Sequence, residues 1–555
     1  MLDRAGARIH YAVALVAVLV IYAATAKLGL RFDALAGVAT TVWPPTGIAL
    51  AAICLGGRRL WPAIFLAALA VNASTDIPAW AAVIIATGNT AEAVLAAKLL
   101  GLFGWRRQMD RMYDVLIFAV TALLATTVSA TLGTIAIRMA HIPVADGYGL
   151  FWTVWWVGDV LGALLIAPAI FAWSDRRAGW PPSRRPRHWV EALLLAGGLV
   201  LVSAAVFSDL FPQKLVRLAR GTYSIWPLLI WAVIRFRLRG TTLALLLVSV
   251  VAISGTASGH GLFAGGTLSP TAHERLFRVQ CFMAVTAVSM MCLAAALAER
   301  RQAILARDEF ISIASHELKT PLTALRLRLG TALRLLGGDR GPSPSGSAPS
   351  AEGIERSARA LVAATATTDR LGRLVDDLLD VSRLTAHRLE LTLEEVTLSE
   401  MLADLAGRLR EQAAETGSTI SIMVDQPSHP LVGVWDRGRV EQVITNLLSN
   451  AVKYGAGQAI TVDARGEGDR VVIVVRDRGI GIAKADQERI FHAFERVETV
   501  HRVGGLGLGL YIGRQIVAAH GGTLRVSSDP GQGSTFVLDL PRLAHPQAAR
   551  LARES

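Results

Sequence analysis

The chain has 555 residues, 52% hydrophobic and 18% charged, with mean hydropathy +0.44. It is longer than one domain needs, and too apolar for an ordinary soluble protein or for disorder over most of its length. A net charge of +12 and a pI near 10.1 invite a nucleic-acid reading, but residues 1–298 hold 24 Lys/Arg against 12 Asp/Glu while residues 299–555 hold 32 of each. The excess sits wholly in the N-terminal half, with 12 of the 13 Trp, so no nucleic-acid partner is expected. Cys54, Cys281 and Cys292 lie in apolar runs without a CxxC or His/Cys cluster, which suggests neither a disulfide framework nor a structural zinc.

Apolar runs near 11–30, 80–103, 114–138, 149–173, 189–207, 240–257 and 277–298 are long enough to cross a bilayer. Shorter, Pro- and Gly-punctuated runs at 44–55, 60–74 and 222–236 read as short spans or broken helices, giving eight to ten passes. With ten, alternate loops carry Arg4 and Arg8; Arg58 and Arg59; Arg106, Arg107 and Arg111; five arginines between Arg176 and Arg187; Arg235, Arg237 and Arg239; and Arg300 and Arg301. Basic loops stay in the cytoplasm. The first run lacks a clear cleavage site and more spans follow, so it is not read as a signal peptide. The expectation is a multi-pass protein of the cell inner membrane, in contact with lipid, with everything after Glu299 in the cytoplasm.

Asn72, Asp76, Asn89, Glu92, Lys98 and Asp159 fall inside or at the ends of these spans. An intramembrane carboxylate is a functional candidate by default, although for Glu92 and Asp159 a role as polar contacts between helices, or a place at an interface, stands slightly ahead. The strings WPPTG (Trp43–Gly47) and WWVGDVLGALLIAP (Trp155–Pro168) resemble the MASE-type integral-membrane sensory domain of bacterial signalling proteins, over roughly residues 10–298.

Beyond the last span Leu297, Ile304, Ile311, Leu318 and Leu325 repeat every seven residues, a coiled-coil or bundle seam. His316, within SHELKTPL (Ser315–Leu322), falls opposite that seam and faces solvent, with Glu317 beside it and Pro321 loosening the following turn. A neutral imidazole is a competent nucleophile toward phosphorus. A second helix, about Ile354–Leu384, follows a Gly/Ser/Pro loop at Gly337–Gly353, and two such hairpins make a four-helix bundle. This stretch resembles the dimerisation and phosphoacceptor domain of sensor histidine kinases. The resemblance implies a homodimer through the hairpin, His316 as the phosphorylated residue, Glu317 as general base, and Thr320 in support of a reverse, phosphatase reaction on the regulator.

From about Thr397, short β-rich runs (Ile420–Val424, Ala459–Ala464, Val471–Arg476, Thr523–Ser527, Thr535–Leu540) alternate with helical ones, an α/β layer arrangement. On the helix EQVITNLLSNAVKY, Asn446 and Asn450 share one face; Asn450 can offer an oxygen to Mg²⁺, Lys453 a charge to phosphate, and Tyr454 a ring to a base. In DRGIGI, Asp477 can accept from an adenine amino group, and Gly479 and Gly481 allow the base close to the backbone. FHAFERVE, with Phe494, precedes GGLGLGL, where Gly505, Gly507, Gly509 and Leu510 open a helix whose N-terminus suits phosphate. That loop lacks GK[ST] and is no Walker loop. In GQGSTF, Ser534 or Thr535 can support Asp477. The five clusters resemble the ATP-binding domain shared by histidine kinases, gyrase, MutL and the chaperone of that fold. By that resemblance Asn446, Asn450, Lys453 and Tyr454 bind Mg²⁺-ATP, Asp477 reads adenine and 491–506 forms a lid; Ser534 stands where Thr is usual.

The expected architecture is an all-α polytopic membrane bundle (1–298), a linker (299–310), a helical hairpin forming a dimeric four-helix bundle (311–386), an α/β sandwich ATP-binding domain (397–543) and a tail (544–555). The expected function is a sensor kinase passing phosphoryl from His316 to an aspartate on the receiver domain of a separate response regulator, since no receiver is expected after Ser555. The alternative is a membrane-bound ATPase or transporter-linked protein without phosphohistidine chemistry.

Overall fold

The computed structural model describes residues 2–31, 41–144, 147–174, 186–208, 222–263, 272–336, 351–385, 390–425, 431–455, 457–495 and 507–543. The chain divides into two compact units, Met1–Leu305 and Ala306–Ser555.

The first unit is entirely helical among its described residues: α1 Leu2–Arg31, α2 Pro44–Gly56, α3 Trp61–Asn72, α4 Ala79–Leu102, α5 Met112–Met139, α6 Tyr148–Ser174, α7 Pro186–Phe207, α8 Trp226–Ala257 and the start of α9 Ala272–Leu335. Seven of these are long and apolar enough to cross a membrane, so the protein is multi-pass. At 13 and 12 residues, α2 and α3 are about 20 and 18 Å long, short of a bilayer core. α2 is nonetheless the most enclosed short helix, seated on α6 through a pair of glycines. A Cβ on Gly47 would lie 2.2 Å from the Gly162 carbonyl oxygen, and one on Gly162 2.0 Å from that of Trp43. Only residues without a side chain let the two backbones meet, which gives WPPTG and GDVLG a shared physical reason.

The two runs at 222–236 and 240–257 join as α8, but Arg237 has φ 57° and ψ −158°, and a Cβ on Gly240 would strike the Phe236 side chain. The chain folds back there. Contacts then tie the arginine-bearing ends of successive helices to one another. The Tyr11 hydroxyl donates to the Arg59 carbonyl at 2.7 Å, Gln302 Nε2 to Asp110 Oδ2 at 2.8 Å, Arg235 Nε to Glu191 Oε1 at 2.8 Å and Arg239 Nε to the Ala172 carbonyl at 2.8 Å. At the opposite end, Leu262 N–H donates to the Val206 carbonyl at 3.0 Å. The loop between Arg176 and Arg185, and Lys214, Arg217 and Arg220, lie outside the described residues.

In the second unit α9 pairs antiparallel with α10, Ala351–Thr385. Ser357 Oγ donates to the Ala332 carbonyl at 2.9 Å, and Arg328 Nη1 to Thr367 Oγ1 at 2.6 Å. The loop expected at 337–353 lies outside the described residues up to 350. Five strands form one sheet in the order β2-β4-β5-β7-β6: β2 Thr419–Val424, β4 Ala459–Glu467, β5 Arg470–Arg476, β6 Thr523–Ser528 and β7 Ser534–Pro541. Only β2 and β4 run parallel. The central strand RVVIVVR is apolar on both faces because it is buried on both. Helices α11 Leu398–Glu415, α12 Arg437–Tyr454 and α13 Gly509–Ala519 supply Leu402, Leu405, Ile444, Leu447, Ile512 and Ile516 to the core. Two short strands absent from the sequence reading, β1 Glu394–Thr397 and β3 Val432–Trp435, pair antiparallel beside it. They were hidden because four-residue runs carry too little alternation to stand out.

Candidate functional site

His316 projects from α9 with its side chain 81% exposed, its Nδ1 3.6 Å from Glu317 Oε1. The Thr320 hydroxyl donates to the His316 carbonyl at 3.2 Å, one turn on. The expected seam divides: Leu318 packs with Phe310 and Ile313 against the core of the second unit, while Ile311 of the seam, and Leu322 and Leu329 outside it, are exposed in the single chain.

The nucleotide-site candidates gather on α12, the turn after β5 and the start of α13. Asp436 caps α12 by accepting from Arg439 N–H at 3.1 Å. Asn450 Nδ2 approaches Asn446 Oδ1 at 3.5 Å, and Asn446 Nδ2 is buried without a hydrogen-bond partner. A Cβ on Gly509 would lie 2.2 Å from Asn446 Oδ1, so any side chain there would displace the Asn446 amide. The close approach brings the α13 N-terminus, with Leu510 half-buried behind it, against the asparagine face. The Lys453 ammonium stands 5.0 Å from the Tyr454 ring centroid.

Asp477 follows β5. Its Oδ1 accepts from Gly479 N–H at 2.9 Å and from Ser534 N–H at 3.2 Å. Burial pushes its carboxyl above the ordinary range, opposed by these two N–H groups. Gly479 backs onto the Tyr454 carbonyl, and Gly481 (φ 68°) onto that of Asp529. Support from the GQGSTF strand therefore comes from the Ser534 backbone; the Ser534 hydroxyl meets Ser528 Oγ at 3.1 Å. Thr535 lies on β7, paired with Arg476 of β5. Phe494 has φ 67° and its ring meets Phe310 edge-on at 5.5 Å. Gly507 has φ 68°, whereas Gly505 and the lid expected across 491–506, beyond 495, lie outside the described residues.

Three features escaped the sequence reading. Asp380 Oδ2 on α10 accepts from Arg439 Nη1 at 2.7 Å and Gln442 Nε2 at 2.8 Å, joining the hairpin to α12. His520, fully buried, accepts from Asp436 N–H at Nε2 (3.0 Å) while Nδ1 meets the Ile516 carbonyl at 2.8 Å. Gln487 Nε2 ties the Ile482 and Ser528 carbonyls together. Only Asp436 had a signal, an Asp four residues before the first apolar position of a helix.

Within the membrane unit, Asn89, Glu92 and Asp159 come together. Asn72, Asp76 and Lys98 do not join them: Asn72 bonds the Ala68 carbonyl of its own helix and Lys98 is exposed.

Family models match along the chain. MASE1 matches residues 14–301, the His Kinase A (phospho-acceptor) domain 306–387, and the histidine kinase-, DNA gyrase B-, and HSP90-like ATPase 435–544. The chain is 36% identical over 251 residues to the sensor-like histidine kinase SenX3 of Mycolicibacterium smegmatis, covering 45% of this chain and 61% of that protein. It is 34% identical over 237 residues to the sensor histidine kinase MtrB of Mycobacterium leprae, covering 42% and 39%. The chain thus spans less than two thirds of these relatives. Among solved structures, histidine kinase AdeS of Acinetobacter baumannii is 22% identical, with TM-score 0.31, over 41% of this chain and 98% of that one.

Proposed function

The chain belongs to the MASE1-type membrane sensor histidine kinases, and from that membership we propose that it autophosphorylates His316 from Mg²⁺-ATP and passes the phosphoryl group to an aspartate on a separate response regulator. The observation that carries this reading is an exposed imidazole with a carboxylate at its Nδ1 side, on the helix pair matched by the phospho-acceptor model. With Nδ1–H turned to Glu317, the Nε2 lone pair is free to attack the γ-phosphorus. The Nε2–P bond forms, the bond from phosphorus to the β–γ bridging oxygen breaks, ADP leaves, and Glu317 takes the Nδ1 proton.

The nucleotide pocket fits this role. Asp477 Oδ1 is held by two backbone N–H groups, which leaves Oδ2 to accept from the adenine amino group. The buried, unpartnered Asn446 Nδ2 is free to donate to a phosphate oxygen, and the neighbouring Asn450 side-chain oxygen is a hard ligand beside the α13 N-terminus. Asn450 would hold Mg²⁺, which neutralises phosphate charge when bound. Lys453 contacts phosphate oxygens and Tyr454 lies along the base. Catalysis is then chiefly positioning and charge neutralisation. The exposed Ile311, Leu322 and Leu329 of α9 and Leu361, Val375 and Leu379 of α10 support a second hairpin completing a four-helix bundle. Localisation to the inner membrane, in contact with lipid, belongs to the same proposal.

Incubation with γ-labelled ATP tests it. Acid-labile, base-stable label is expected on the wild type and absent from His316→Gln. ATP turnover unchanged in that variant, with no labelled wild-type protein, selects the ATPase reading instead.

A further inference from the structure

Five membrane helices converge on one buried polar cluster. Tyr22 comes from α1, Thr46 from α2, Asn89 and Glu92 from α4, Ser129 from α5, and Trp155 and Asp159 from α6. Most of its bonds are made inside the cluster. Thr46 Oγ1 donates to Asp159 Oδ1 at 3.1 Å, Asn89 Nδ2 to the Tyr22 oxygen at 3.2 Å, Ser129 Oγ to Asn89 Oδ1 at 2.7 Å and Trp155 Nε1 to Ser129 Oγ at 3.3 Å. Glu92 and Asp159 are 2% and 1% exposed, and each lies close enough to feel the other and the Thr46 and Ser129 hydroxyls.

Yet Glu92 Oε2 and Asp159 Oδ2 have no hydrogen-bond partner, and no arginine, lysine or histidine among the described residues forms an ion pair with either carboxyl. Buried carboxylate oxygens are paired with donors or with cations. Here the donors are used up and the protein supplies no cation.

We propose that Glu92 and Asp159 form a binding site for an alkali-metal cation inside the membrane domain. The surroundings suit that class: every nearby acceptor is an oxygen, the preference of hard cations, with no thiol or imidazole among them. There is no group of three or more His, Cys, Asp or Glu side chains among the described residues to hold a multivalent ion. The N-terminus of α2 adds roughly half a positive charge beside Asp159, so a single monovalent ion balances much of what remains. The site is tied to the last membrane helix. The start of α2 is fixed by Trp43 N–H donating to the Gly158 carbonyl at 3.0 Å, and Gln280 Nε2 of α9 donates to the Thr41 carbonyl at 2.7 Å just before it.

Equilibrium binding of ²²Na⁺ to the full-length protein in detergent micelles tests this, without ATP and hence independently of kinase activity. Saturable binding of one ion per chain is expected, displaced by excess NaCl, LiCl or KCl but not by choline chloride. It is expected to be lost in Glu92→Gln and Asp159→Asn, each checked for a monodisperse gel-filtration profile. Thr46→Val, which removes only the hydroxyl that orients Asp159, is expected to weaken it by about tenfold. Absence of saturable ²²Na⁺ binding to the wild type, displacement by choline as readily as by Na⁺, or unchanged binding in both carboxyl variants overturns the proposal.

Discussion

At the residue scale, the nucleotide pocket depends on two acceptors placed by backbone donors. Asp477→Asn keeps an oxygen for Gly479 and Ser534 N–H but turns an amide donor toward the adenine amino donor. A hydrogen bond to a charged group contributes about 1.5–3 kcal/mol, so ATP affinity is expected to fall by at least about tenfold, read by isothermal titration. His520 plays the matching structural part: it accepts from Asp436 N–H beneath the α12 N-terminus. His520→Ala leaves that donor unpaired and is expected to cost about 1–3 kcal/mol of stability, measured by chemical denaturation. Burial holds the His520 imidazole below its ordinary value. Its stabilising contribution is therefore full above about pH 6.5 and is lost as pH falls through the depressed folded value. The steeper loss of wild-type stability between pH 7 and 5 is expected to flatten in the variant. The catalytic motifs were legible because each is a run of chemically unusual residues within one element. His520 and Ser528 were not, because their partners lie 84 and 46 residues away in sequence.

At the element scale, α10 and α12 are joined by Asp380, Arg439 and Gln442, with Leu374, Val381 and Leu384 continuing the contact into the sheet domain core. Asp380 is buried and Arg439 about one-fifth exposed, so removing one partner leaves an uncompensated charge. Asp380→Ala is expected to speed amide exchange across the C-terminal half of α10 and the first turn of α12, by hydrogen–deuterium exchange, while leaving β5 protected. Asp377, beside it, has its carboxyl pushed up to about 6 by burial first, then by Asp380 and Asp376. A raised folded value means that the neutral form favours the fold, and stability is lost as pH rises from the ordinary carboxylate range through about 6. Asp377→Asn is accordingly expected to stabilise the protein at pH 7.5, by about 1 kcal/mol after allowance for solvent screening, and to change little at pH 4. Element types were readable from periodicity; this contact was not, because both sides of it are polar residues on otherwise solvated helix faces.

At the scale of the whole molecule, one backbone reversal decides whether the two ends of the membrane unit are expected on the same side of the membrane. Counting each of the seven long helices as a single pass puts the two ends of the membrane unit on opposite sides. The short pair α2 and α3 leaves that parity unchanged, since it enters and returns. The reversal at Arg237 makes α8 two passes, restores an even count, and returns α9 to the side of Arg58, Arg106 and Arg239. Loops rich in arginine stay inside, so the even count agrees with the arginine pattern, and that pattern makes the cytoplasm the expected side. Composition showed the charge asymmetry, but the reversal lies in a stretch, IRFRLRG, with no Pro and its one Gly three residues late; the positive φ at Arg237 is a tertiary outcome that no local propensity announces. Reporter fusions separate the two counts. Fusions ending at Leu238 and at Gly259 are expected to read as cytoplasmic and periplasmic respectively. A periplasmic reading at neither position, or at both, means that α8 does not cross twice.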